Sequence, residues 1–230
     1  MTETAQRKIV LYDWGPSPFC MKVRAVLAHK GLPYEKVPAL TKIREVARRG
    51  KIGKVPALEI DGEFLVDSTD ICLELERRFP ERPVVPSEPR ERAACLLHEE
   101  LADEALYFFG LYFHWHEPKG RARAKKYFSR TFLGRLAFVP YHRRIESQLR
   151  GHGLSRKAEA HVRRDLDRNL DAIEALLEGR DWLVGEGPTL ADFAIGAQLK
   201  YLTLAASTKE VLAHRPNSVR FLERMPEIRP

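Results

Sequence analysis

The sequence predicts an α/β N-terminal domain followed by an all-α C-terminal one. Three observations carry this. Strand and helix signals alternate through the first 80 residues, only helical signals follow residue 90, and between them ERPVVPSEPR holds three prolines among charges with little to bury. The boundaries read as a domain over 1–80, a linker over 81–90 and a helical domain over 91–230. At 230 residues, 44% hydrophobic and 31% charged, the chain is long enough to bury such cores and unlike a disordered, collagenous or disulfide-dense protein.

The elements follow in order. Residues 8–14 (KIVLYDW) form a β-rich run ended by Gly15-Pro16, and Phe19, Val23, Val26 and Leu27 then recur at helical spacing until Gly31-Leu32-Pro33 stops the helix. A second strand is expected over 34–38 and a weakly helical, charged stretch over 41–49. Residues 57–60 and 63–66 flank Asp61-Gly62, the dipeptide a tight hairpin prefers, and Ile71, Leu75 and Phe79 mark a third helix from Ser68 to just before Pro80.

In the second part, Leu97, Leu101, Ala105 and Phe108 mark the buried stripe of one helix, and Val162, Leu166, Leu170, Ile173 and Leu177 that of another, stopped by Gly179. Residues 119–150 read as a further helix, broken near Pro140. Thr189 and Asp192 form a capping box ahead of Phe193, Ala194, Ala197, Tyr201 and Leu204.

Ser17-Pro18-Phe19-Cys20 falls where the first strand turns into the first helix. A helix start offers unpaired N–H groups and partial positive charge, so an anion such as a thiolate is favoured there. In Cys-x-x-Cys redox motifs that position lowers the pKa of the first cysteine. Here a serine stands in that place and can steady only a thiolate that a ligand brings. Ser before Pro is also a good helix cap in its own right, and the two roles are compatible. Cys20, one turn later, reads as a small buried core residue, with a redox role as the alternative.

Four features in order, SPFCMKVR, KVPAL, DST opening the third helix, and TLADFAIG, make the chain resemble the cytosolic glutathione S-transferases over nearly its whole length. The N-terminal motif is similar to that of the serine-type classes and to the tau-, zeta- and omega-like pattern. The resemblance implies a thioredoxin-like α/β domain joined to a helical bundle, glutathione as co-substrate, no metal, and a homodimer. Ser17 is then the catalytic residue, and Phe19, Lys42, Lys54, Val55, Pro56, Asp67 and Ser68 are glutathione contacts. Val55-Pro56 matches a proline that is usually cis in the family. Asp67 would face the γ-glutamyl ammonium and Ser68 its carboxylate, although plain helix capping also explains that pair. Trp14, together with Tyr112 and Trp115 from a helix whose aromatic stripe is otherwise core, is the expected electrophile pocket. Tyr12 comes one residue too early to match a tyrosine-type catalyst. The chain lacks the Asn-Pro common before the Val-Pro turn. It also has Glu74 where an aromatic is common, which bears on the subunit contact.

The implied reaction is attack of glutathione thiolate on a small, largely apolar electrophile. The alternatives are glutathione-dependent thiol/disulfide reduction through Cys20 and a non-catalytic ligand-binding protein of the same fold. His114 and His116, two apart on a helix, point away from each other and do not make a metal site. The formal charge of +7 divides between both parts, with 14 Lys/Arg against 11 Asp/Glu in the first 80 residues. The basic run KGRARAKKYFSR over 119–130 reads as a solvated helix face, with no nucleic-acid partner. The polar start MTETAQRK and the absence of a long apolar run lead us to expect an uncleaved soluble chain with no membrane partner. Three unpaired-looking cysteines point to the cytoplasm.

Overall fold

A computed structural model of the chain describes residues 8–51, 53–225 and 227–228. Its N-terminal part is a four-stranded sheet in the order β2-β1-β3-β4, from β1 (Ile9–Asp13), β2 (Glu35–Pro38), β3 (Ala57–Ile60) and β4 (Glu63–Val66). Helix α1 (Pro18–Lys30) carries the chain back so that β2 runs parallel to β1, whereas β3 and β4 are antiparallel to their neighbours. Both residues of the β3–β4 turn have positive φ, Asp61 at 51° and Gly62 at 89°, as a two-residue hairpin requires.

Side chains alternate across the sheet. Ile9, Leu11, Leu58 and Ile60 join the main core beneath α1 and α3 (Ser68–Arg78), and Val10, Tyr12 and Ala57 face Val46 of α2 (Ile43–Gly50). Gly31 ends α1 in the left-handed region, and the Leu32 N–H closes the last turn on the Leu27 carbonyl at 3.0 Å.

The helical part holds α4 (Pro89–Glu100), α5 (Tyr107–Leu111), α6 (Pro118–Phe128), α7 (Phe132–His152), α8 (Glu159–Leu176), α9 (Leu190–Thr203), α10 (Ala206–Ala213) and α11 (Pro216–Glu223). Two wider helical turns, Leu101–Leu106 and Tyr112–His116, flank α5, so that α4 and α5 form one long column. Helix α9 is the hub, buried throughout except at Lys200 and Thr203. Its predicted capping box forms: Asp192 Oδ2 accepts from the Thr189 N–H at 2.7 Å, and Oδ1 from the Leu183 N–H at 2.8 Å. The two parts meet where α1 packs on α9, with His29 and Phe193 rings 5.4 Å apart. The Leu190 N–H donates to the Val84 carbonyl at 2.7 Å, tying the proline-rich stretch down.

Two expectations are corrected. Leu97 is 71% exposed, and the buried stripe of the α4–α5 column runs instead through Cys95, Glu99, Ala102, Leu106, Phe109 and Phe113. That stripe keeps the 4-3 spacing, but a glutamate occupies one core position, which displaces the apparent stripe by two residues. The second correction is the break in 119–150, which falls at 129–131, between α6 and α7, and not at Pro140, which is accommodated inside α7. Thr131 caps α7 by accepting the Gly134 N–H at 3.0 Å, a start signal that outweighs the single hydrogen bond Pro140 removes.

Candidate active site

The register brings three segments to one end of the sheet. Tyr12 lies opposite Ala57, and Ala57 opposite Val66, so the turn after β1, the residues before β3 and those after β4 converge. They contribute Ser17, Val55-Pro56 and Asp67-Ser68. The end of β2, Pro38, pairs with Asp13 and leads toward Lys42 at the same end.

Ser17 caps α1 with extended backbone (φ −74°, ψ 123°) and Pro18 follows in the first turn. Its Oγ accepts from the Cys20 N–H at 3.4 Å, and its own N–H donates to the Trp14 carbonyl at 2.9 Å. The turn is held from below. Arg24 donates to the Asp13 carboxylate at 2.5 Å and to the Gly15 carbonyl at 3.3 Å, and Lys36 reaches Asp13 at 2.8 Å. Cys20 is fully buried, and its thiol is pushed up to about 12, by burial first and by the Asp13 charge second. The Trp14 N–H and the Ser17 hydroxyl act in the opposite direction but do not compensate. This is the buried core residue the sequence suggests, a poor nucleophile out of reach of solvent. Tyr12 points to the opposite face of the sheet, where its hydroxyl lies 3.5 Å from both Glu45 and Arg49.

The Val55–Pro56 bond is cis. Asp67 has positive φ (73°) and caps α3, with its Oδ1 accepting from the Thr69 N–H at 2.9 Å and the Asp70 N–H at 3.4 Å. Ser68 beside it is buried. Lys54 is exposed and in no ion pair among the described residues, whereas Lys42 is exposed and lies 3.8 Å from Glu45. The Phe19 ring packs on Tyr107 with centroids 4.6 Å apart.

A wall of aromatic rings rises from the helical part. Trp14 meets Tyr141 at 6.4 Å, Tyr141 meets Trp115 at 5.0 Å, and Phe128 and Phe138 complete the group. The Trp14 indole N–H is buried with no hydrogen-bond partner among the described residues. Trp14 and Trp115 are therefore joined in one cluster through Tyr141, which the sequence reading missed because α7 gave no clear period. Tyr112 lies outside this cluster, packed on Phe113 at 5.2 Å and His116 at 4.8 Å. His114 and His116 diverge as expected: His114 Nε2 bonds the Tyr201 carbonyl at 2.9 Å, and His116 Nδ1 bonds Glu146 at 2.9 Å.

Behind the start of α3 lies an ionic cluster that sequence reasoning also missed. The Lys22 ammonium, 1% exposed, donates to Glu99 at 2.7 Å, Asp103 at 2.6 Å and the Thr69 hydroxyl at 3.3 Å. Burial alone would lower Lys22, but Asp103 foremost, with Glu99, outweighs it and pushes the ammonium to about 12. The same burial holds the Asp103 carboxyl above its ordinary range. The cluster joins α1, α3 and the α4–α5 column. A charged residue at a heptad core position was the available signal.

A sheet of this order with a helical bundle on α1 is the glutathione transferase architecture. The profile of the glutathione S-transferase N-terminal domain matches residues 11–83, and that of the C-terminal domain matches residues 129–228. The chain belongs to the glutathione S-transferase family. It is similar to glutathione S-transferase Z1 of Arabidopsis thaliana, 34% identical over 99 residues, covering 40% of this chain and 44% of that protein. The match thus spans less than half the length of this relative. Tetrachloro-p-hydroquinone reductive dehalogenase of Sphingobium chlorophenolicum is 25% identical over 95% of this chain and 92% of its own. Among solved structures, a glutathione S-transferase of Methylobacillus flagellatus with glutathione bound aligns with TM-score 0.65 and 26% identity, over 96% of this chain and 97% of that one. The β-etherase LigF of Sphingobium sp. strain SYK-6 shares the fold at TM-score 0.71 and 23% identity, over 96% and 97% of the two chains. Among the described residues there is no group of three or more His, Cys, Asp or Glu placed to hold a metal, and no helix long and apolar enough to cross a membrane.

Proposed function

We propose that this protein is a glutathione-dependent enzyme that presents the glutathione thiolate to a small, largely apolar electrophile and conjugates the two, with Ser17 steadying the thiolate. The observation that carries this is the Ser17 hydroxyl at the start of α1, at the same sheet end as cis Val55–Pro56 and Asp67-Ser68 and next to Trp14, which opens the aromatic wall. Glutathione would lie across that end, its cysteinyl part on the Val55 backbone. Its γ-glutamyl carboxylate would sit at Ser68 and the start of α3, its ammonium near Asp67, and its glycyl carboxylate near Lys54, with Lys42 a secondary partner. Phe19, its ring packed on Tyr107, is a further glutathione contact. Residues 1–80 then form the glutathione-binding unit and 91–230 the electrophile-binding one. Trp14, Tyr141 and Trp115 line the second pocket, and Tyr112 supports it from behind.

A model thiol of pKa about 8.5 is only about 3% ionised at neutral pH, so lowering it to about 6.5 ionises most of it, worth about 2.7 kcal/mol or at most about 30-fold in rate. A hydroxyl donor and a helix start supply an effect of that size. Positioning beside the electrophile supplies the remainder. The relatives' names include an isomerase and a reductive dehalogenase, so the second substrate is where this chain can differ from them. We further propose a cytoplasmic homodimer with a detoxifying role. Conjugation of glutathione to an activated aryl halide tests the reading. Ser17→Ala is expected to lose about 10- to 30-fold at neutral pH, and Cys20→Ser to retain activity. Activity unchanged in Ser17→Ala, or disulfide reduction lost in Cys20→Ser, rejects it. Wild-type protein that passes through a glutathione resin supports a non-catalytic role instead.

A further inference from the structure

The chain's basic surplus has an address. Residues 118–145, which hold α6, the turn and the first half of α7, contain nine of the 39 Lys/Arg and none of the 32 Asp/Glu. The other 202 residues therefore carry 30 basic against 32 acidic side chains, and the net positive charge of the whole molecule resides on this helix pair. Lys119, Arg121, Arg123, Lys125, Lys126, Arg130, Arg135, Arg143 and Arg144 are all exposed, and none is in an ion pair among the described residues. The same surface displays apolar groups. Phe132 (68% exposed), Leu136 (62%) and Val139 (51%) recur at i, i+4 and i+7 along one face of α7, and Tyr127 (48%) ends α6 beneath the Arg130 guanidinium. These are four of the eight large apolar side chains exposed among the described residues. The opposite face of α7, through Phe138 and Tyr141, is the aromatic wall already described.

From this geometry we infer that the α6–α7 pair docks on the surface of an anionic lipid bilayer. Phe132, Leu136 and Val139 enter the headgroup boundary, and the surrounding cations meet acidic headgroups. Exposed apolar side chains ringed by unpaired cations are the composition of an interfacial helix. Charge selects among the occupants. A second copy of the chain meeting this face across a two-fold axis would set nine cations against nine. A nucleic acid would pair with the cations, but Leu136 and Val139 can neither stack on bases nor bond to phosphates. This replaces the expectation that 119–130 is a plain solvated helix face with no membrane partner. An apolar substrate dissolved in the bilayer would then lie beside the helix that walls the pocket.

Co-sedimentation with phosphatidylserine/phosphatidylcholine vesicles and with pure phosphatidylcholine vesicles tests this in the full-length protein. Binding is expected to the anionic vesicles only, and to weaken steeply as salt rises. Each cation at such a surface strengthens partitioning roughly fivefold. The exposed quadruple variant Lys125→Gln/Lys126→Gln/Arg130→Gln/Arg135→Gln is therefore expected to lose about 100-fold or more, and Phe132→Ser/Leu136→Ser at least about tenfold. Both variants are checked for an unchanged melting point. Equal binding to neutral vesicles, unchanged binding by either variant, tighter binding to double-stranded DNA or RNA than to anionic vesicles, or a dimer that dissociates in Phe132→Ser/Leu136→Ser each overturns the inference.

Discussion

Lys22→Met leaves the backbone of α1 intact but strands two carboxylates. Glu99 and Asp103 each lie within 2.7 Å of the Lys22 nitrogen, and the Thr69 hydroxyl, 2.6 Å from Glu99, is the only other donor at hand among the described residues. Removing one member of a buried charge cluster costs about 3–5 kcal/mol, because the remaining charges lose their partner but not their desolvation. For a chain of this length that corresponds to a fall of roughly 6–20 °C in melting temperature. The deficit has a pH signature. Without the ammonium, the Asp103 carboxyl, already held above its ordinary range by burial, loses the charge that most lowers it, so the folded state binds a proton the unfolded state has already released. Stability of the variant therefore rises as pH falls from about 8 toward about 5. Urea denaturation at both ends of that range reads the effect. Replacing all three groups, as Lys22→Met/Glu99→Met/Asp103→Leu, is expected to recover most of the loss. A deficit in Lys22→Met below about 1 kcal/mol, or one that does not shrink on acidification, refutes the assignment of this cluster as a buried clasp between the two parts of the molecule.

The remaining predictions rest on separate contacts. Burial lowers His114 to about 4, although its bond to the Tyr201 carbonyl opposes the shift. The unfolded state therefore takes up a proton below about 6.5 that the folded state refuses, and stability falls between about pH 6.5 and 4 by up to about 3 kcal/mol; His114→Gln is expected to flatten that slope in a urea series. Cys20, with its thiol near 12, should resist iodoacetamide at pH 8 in the native protein and react only after unfolding; rapid native-state modification would contradict its placement. Gly120→Ala would set its Cβ 1.8 Å from the Phe113 carbonyl oxygen, so α6 must shift; a loss of several degrees in melting temperature is expected, and an unchanged value would show that α6 docks differently.

The elements most legible in sequence are those whose signals are local. Asp61-Gly62 needs two positive φ values, Gly31 a left-handed cap, and Thr189-Asp192 a reciprocal pair of hydrogen bonds, and each leaves a mark within four residues. What was hidden depends on distant partners. Glu99 gives no core signal of its own because Lys22, 77 positions away, is what allows it into the core, and that moves the apparent stripe onto Leu97. Tyr141 joins Trp14 and Trp115 only through tertiary packing, and the flank of α7 that carries it is disguised by an apolar stripe on the opposite, exposed face. The basic surplus vanished when charge was counted by halves, and stands out only once α6 and α7 define the segment to count.

Titrating the thiol of glutathione while it is bound, by thiolate absorbance across a pH series in the wild type and in Ser17→Ala, addresses the proposed chemistry most directly. A midpoint near 6.5 in the wild type that returns toward about 8.5 in Ser17→Ala is the predicted result. The same midpoint in both proteins would contradict it, and would remove Ser17 from the chemistry while leaving the fold as described.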